Sequence, residues 1–130
     1  MFDLIKRIFR GSQAEAYPEP PRPSGPWFGV DLDGTLAVWD SHSSLDRIGP
    51  PVPAMMDYVR RMVANGIRVK IFTARASDPA QIPKIQAWLR HNGLPDLEIT
   101  NVKDYQMERL YDDRAIRVEQ NTGRIVTGQG

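Results

Sequence analysis

The chain has 130 residues, of which 41% are hydrophobic, 25% charged and 8% aromatic, the balance of one soluble domain with one core. A chain this long buries about 68% of the surface its unfolded form exposes, enough to fold without crosslinks. It contains no cysteine, which excludes a disulfide scaffold, an iron–sulfur cluster and a thiolate zinc site. Seventeen basic against sixteen acidic residues leave a net charge of +1, which argues against stable nucleic-acid binding or an anionic-lipid coat, and no apolar run reaches membrane-spanning length.

In chain order, Phe2, Leu4, Ile5, Ile8 and Phe9 share one helical face, with Lys6, Arg7 and Arg10 opposite. This short basic amphipathic stretch is too interrupted for a secretory signal, so a cytoplasmic location is expected. A helix that docks on the domain or a neighbouring subunit is the reading preferred to a reversible membrane or partner anchor. Pro18, Pro20, Pro21, Pro23 and Pro26 then favour an extended linker. Residues 1–26 are therefore an arm and spacer, and residues 27–130 the globular domain.

Trp27 to Leu32 reads as a buried strand that breaks at Gly34. Val52, Met55, Met56, Val59 and Val63 recur at helical spacing and stop at Asn65-Gly66, and Ile67 to Phe72 is a second strand. Asp78-Pro79 predicts a helix start, with Ile82, Ile85, Trp88 and Leu89 as its buried stripe up to Asn92-Gly93. Leu97 to Thr100 and Arg109 to Tyr111 are short strand candidates, and Ile116 to Thr127 a hairpin turning at Asn121-Thr122-Gly123. The alternation predicts an α/β fold with a mainly parallel sheet and helices on both faces. Open sheets of this kind place their chemistry in the loops that leave the carboxyl ends of the strands.

Those ends carry the reactive side chains. Asp31-Leu32-Asp33-Gly34-Thr35 sets two carboxylates where an extended chain breaks, and a hard cation such as Mg²⁺ offsets their repulsion. A solvated acidic turn is the alternative. Thr73-Ala74-Arg75 offers a hydroxyl and a guanidinium suited to phosphoryl oxygens, although Arg75 has Asp78 as another available partner. Asn101-Val102-Lys103 and Tyr111-Asp112-Asp113-Arg114 follow the third and fourth strand candidates, where a loop cation and turn-capping aspartates are the alternatives.

In kind and order these four segments resemble the motifs of the haloacid dehalogenase superfamily of phosphohydrolases, over Trp27 to about Val118. The Thr-Ala-Arg and Asp-Asp-Arg-Ala-Ile strings are also similar to small phosphatases of capsular polysaccharide pathways and to polynucleotide phosphatase domains. The resemblance implies a three-layer Rossmann-like fold and a Mg²⁺-dependent phosphatase working through an aspartyl-phosphate. Asp31 would be the nucleophile, and Asp33 the general acid and base whose backbone carbonyl also meets the metal. Asp113 would be the outer metal carboxylate, with Asp112 as the alternative. Gly34, Thr35, Thr73, Ala74, Arg75 and Lys103 would receive the phosphate.

Two departures stand out. The stretch from Lys103 to Tyr111 has no room for a full helix, which alters the approach of the lysine, and no insertion is large enough for a cap domain. Leu36 to Pro51 is only flap-sized, so an open site is expected. Substrate choice then falls to Trp39, Asp40, His42, Arg47 and Arg75, and a sugar phosphate, a nucleotide and a nucleic-acid end all remain open. Phosphotransfer to an acceptor other than water and a catalytically silent adaptor are the competing functions.

Overall fold

The computed structural model describes residues 24–127. The amphipathic arm and most of the proline tract lie outside the described residues. Strand β1 is Trp27–Val30, followed by helix α1 (Pro53–Ala64), β2 (Val69–Phe72), a 3₁₀ turn (Ala74–Ser77), α2 (Gln81–His91), β3 (Glu98–Thr100) and β4 (Met107–Tyr111). The strands form one parallel sheet in the order β3-β2-β1-β4. Among the described residues no helix is long and apolar enough to cross a membrane.

Local sequence sets the boundaries. β1 stops earlier than the apolar run suggests because the Leu32 carbonyl accepts from the N–H groups of Thr35, Leu36 and Ala37, closing a tight turn. Leu32 nevertheless stays fully buried beneath that turn. Helix α1 opens with Pro53 in its first turn, where a missing N–H costs nothing, and ends at Asn65-Gly66 with Gly66 at φ 80°. Helix α2 starts at Gln81, later than Asp78-Pro79 predicts. Thr73 caps a separate 3₁₀ turn, and the Asp78 carboxylate accepts from Ala80 N–H at 2.9 Å to make a local turn ahead of the helix.

Among the described residues, helices do not lie on both faces as expected. Met56, Val59 and Met62 of α1 and Ile85 and Leu89 of α2 join one core cluster with Val30, Val69 and Ile71. The path β1-α1-β2-α2-β3 advances in one direction across the sheet, so right-handed crossovers place both helices on the same face. A right-handed return from β3 to β4 would carry a helix on the opposite face, and residues 101–106 contain none. That segment instead runs as a strap, pinned where Trp27 Nε1 donates to Asp104 Oδ1 at 2.8 Å and where Lys70 Nζ lies 3.9 Å from Asp104 Oδ2.

The C-terminal hairpin is present in reduced form. Val118 and Ile125 make an antiparallel bridge, and Asn121 and Gly123 turn with positive φ between them.

Candidate active site

Register brings the strand ends level. Val30 pairs with Ile71 and with Tyr111, and Phe72 with Thr100, so the residues that follow the four strands, Asp31, Thr73, Asn101 and Asp112, emerge along one edge. The chain leaves β1 in one direction toward β2 and later returns to its other side as β4. Loops diverge at such a reversal and leave a crevice between them. Asp31 and Asp112 flank that point, and the pairing continues one step beyond the strands through Asp31 N–H to the Tyr111 carbonyl at 2.9 Å.

Asp31, Asp112 and Asp113 each offer a carboxylate oxygen, all within 4.8 Å of one another. Burial, the charge of Asp112 and a hydrogen bond with Asp113 push the Asp31 carboxyl up from 3.8 to about 7, against the opposing hydrogen bond from Leu32 N–H. Asp112 Oδ1 accepts from Arg114 N–H at 2.7 Å. Thr35 braces Asp113 twice, donating from Oγ1 to Oδ1 at 3.0 Å and accepting from the Asp113 N–H at 3.0 Å. Gly34, at φ 90°, lies so close that a Cβ there would stand 2.6 Å from Asp113 Oδ2. The turn thus needs glycine for its backbone and for the space beside the carboxylate.

A cavity of about 780 Å³ opens over these groups. Asp31, Asp33, Thr73, Ala74, Arg75, Asp112 and Asp113 line it, so most residues expected from the sequence do meet at one place. Thr73 is buried, and its Oγ1 accepts from Arg75 N–H at 3.1 Å, which leaves the hydroxyl hydrogen for a cavity ligand.

Five placements differ from the expectation, the first two being Gly34 and Thr35, which do not line the cavity because they are packed against Asp113. Lys103 is exposed on the strap and does not line the cavity, because Asp104 holds that segment against Trp27. The Asp33 carboxylate faces Arg75 in a bidentate pair of 2.7 and 3.0 Å, and the acidic cluster is completed by Asp112 instead. Arg75, expected at a phosphoryl group, has every N–H engaged within the protein, and its side chain is 2% exposed.

Sequence reasoning assigns no chemistry to several lining residues, among them Gln81, Asn101 and Arg114. Arg114 follows the acidic pair directly, and Asn101 is the first residue after β3, a position equivalent to Asp31, Thr73 and Asp112. That positional equivalence was the available signal for Asn101. Of the residues assigned to substrate choice, Trp39 lines the cavity, whereas Asp40, His42 and Arg47 border a separate hollow of about 380 Å³ within the loop.

The acidic cluster suits a hard divalent cation. The three carboxylates bring hard oxygen donors within 4.8 Å of one another, and the raised Asp31 carboxyl reflects first its burial and then the charge of Asp112, both of which a cation offsets. No protein-family model matches the chain, nor does any curated protein or solved structure.

Proposed function

We propose that this protein is a Mg²⁺-dependent phosphomonoester hydrolase of the haloacid dehalogenase type. The observation that carries the reading is the convergence of Asp31, Asp112 and Asp113 at the reversal point of a parallel sheet, beneath an open cavity also lined by Asp33 and Thr73. Asp31, Asp112 and Asp113 would hold the ion, which when bound supplies charge neutralisation for an anionic ester approaching a carboxylate.

One oxygen of Asp31 attacks phosphorus, the P–O bond to the leaving group breaks, and the departing leaving-group oxygen takes a proton from Asp33. A water then attacks phosphorus, gives its proton to Asp33 and releases inorganic phosphate, which restores Asp31. Thr73 donates its hydroxyl hydrogen to an equatorial oxygen. Arg114, whose guanidinium has no acceptor among the described residues, supplies the positive charge that Lys103 does not bring to the cavity.

The test is hydrolysis of p-nitrophenyl phosphate by the full chain with Mg²⁺ and with EDTA. Metal-dependent activity is expected, with a loss of roughly 10⁴-fold or more in Asp31→Asn, the scale on which removing a catalytic group acts. Borohydride reduction during turnover should convert residue 31 to homoserine. Folded protein that is inactive on every ester class overturns the reading and favours a silent adaptor.

A further inference from the structure

A guanidinium has five N–H donors, and Arg75 spends all five on two parts of the molecule. Nε and Nη2 hold the two oxygens of Asp33 at 2.7 and 3.0 Å. Nη2 also donates to the Ser44 carbonyl at 3.0 Å, and Nη1 to the Leu45 carbonyl at 3.2 Å and to Gln81 Oε1 at 2.9 Å. Gln81 Nε2 donates to the same Leu45 carbonyl at 2.9 Å. Ser44 and Leu45 belong to the connection between β1 and α1, and this connection also places Trp39 at the cavity, with its ring 5.9 Å from the Arg75 guanidinium.

We propose that Arg75 is a positioning residue that couples this loop to Asp33, so that the orientation of the acid/base carboxylate and the closure of the cavity wall are set by one buried side chain. The proposal rests on the hydrolase reading for its kinetic consequences. A substrate contact by Arg75 requires breaking one of five existing bonds in a site with almost no solvent to replace it, whereas its fork already matches a carboxylate at both oxygens. Lysine has a single ammonium and cannot hold both Asp33 oxygens and two loop carbonyls in that planar arrangement. Gln81 shares only the loop side of the junction and serves as the control that separates the two effects.

The experiment compares Arg75→Lys, Arg75→Gln, Gln81→Leu, Asp33→Asn and the Asp33→Asn/Arg75→Gln double variant in the full chain, with folding checked by circular dichroism. Backbone hydrogen exchange without substrate is expected to speed up over residues 40–47 in both Arg75 variants and in Gln81→Leu. With p-nitrophenyl phosphate and Mg²⁺, the Arg75 variants should lose roughly 100-fold in kcat, the lower range for a misplaced general acid, while Gln81→Leu should chiefly raise KM. If Arg75 acts through Asp33, the double variant has the same kcat as Asp33→Asn alone. Multiplying losses, as a direct phosphate contact gives, overturn the proposal, and so does unchanged loop exchange in both Arg75 variants. An inactive wild-type chain would remove the hydrolase reading, while the exchange data would still decide whether Arg75 ties the loop.

Discussion

Gly34 shows how a single residue carries both backbone and site. Its φ of 90° already disfavours any other residue, and the nearby Asp113 carboxylate fills the space a side chain would need. Gly66 also has positive φ, at 80°, but meets nothing within 4 Å. Gly66→Ala should therefore cost about 1–2 kcal/mol, the strain of a Cβ in the left-handed region, and leave Mg²⁺ affinity unchanged. Gly34→Ala should cost roughly 1–3 kcal/mol and also weaken Mg²⁺ binding, because the carboxylate must move. Denaturant melts and isothermal titration with MgCl₂ check the contrast, and equal Mg²⁺ affinity in the two variants would contradict it.

Among the elements, the strap between β3 and β4 departs most from an ordinary α/β connection. It bears on the opposite sheet face through Asp104, whose oxygen receives both the Trp27 indole N–H and the Gln106 N–H. Those two hydrogen bonds hold the Asp104 carboxyl below its usual 3.8, with a smaller contribution from the charge of Lys70. A carboxyl lowered on folding contributes stability above its unfolded value and loses it as pH falls through the folded one. Asp104→Ala should accordingly lower Tm at pH 7, with a penalty that shrinks once the pH drops below about 3.8. Thermal melts of the two proteins across pH 2.5–7 measure this, and a penalty independent of pH would show that the ionised carboxylate contributes nothing.

Over the whole molecule, the acidic cluster is a cost that folding accepts. Asp31 has the reverse sign to Asp104: its carboxyl rises from 3.8 to about 7, so between those values the folded chain binds more protons than the unfolded one. Stability then falls as pH increases through that window and levels off above it. In EDTA, Asp31→Asn should match the wild type in Tm near pH 4 and exceed it at pH 8 by several °C or more. The shift is worth about 4 kcal/mol before solvent screening of this half-exposed group reduces it, and about 1 kcal/mol already moves Tm by roughly 4 °C. Mg²⁺ at 100 times its Kd should stabilise the wild type by about 2.7 kcal/mol at pH 8, and much less in Asp31→Asn. A wild type that Mg²⁺ leaves unchanged would mean the three carboxylates do not bind it.

The elements were legible in the sequence because their signals are local. Apolar runs marked β1 and β2, whereas β4, Met107–Tyr111, begins two residues before the expected Arg109, a start hidden because Glu108 and Arg109 break its apolar pattern. Helical spacing from Val52 to Val63 marked α1, and Asn-Gly pairs marked both helix ends. Asp31, Asp112, Asp113 and Thr73 were legible for a related reason: each stands at the end of a strand, and parallel strands in register must deliver their ends to one edge. Partnership between residues far apart in sequence has no local signature. Only the folded chain gave the Arg75 fork to Asp33 and the loop carbonyls, and stretched residues 101–106 across the sheet so that Lys103 stands outside the cavity. The same packing left Arg114 facing the cavity, because hydrogen-bond saturation and the reach of a short connection are settled by distance in three dimensions.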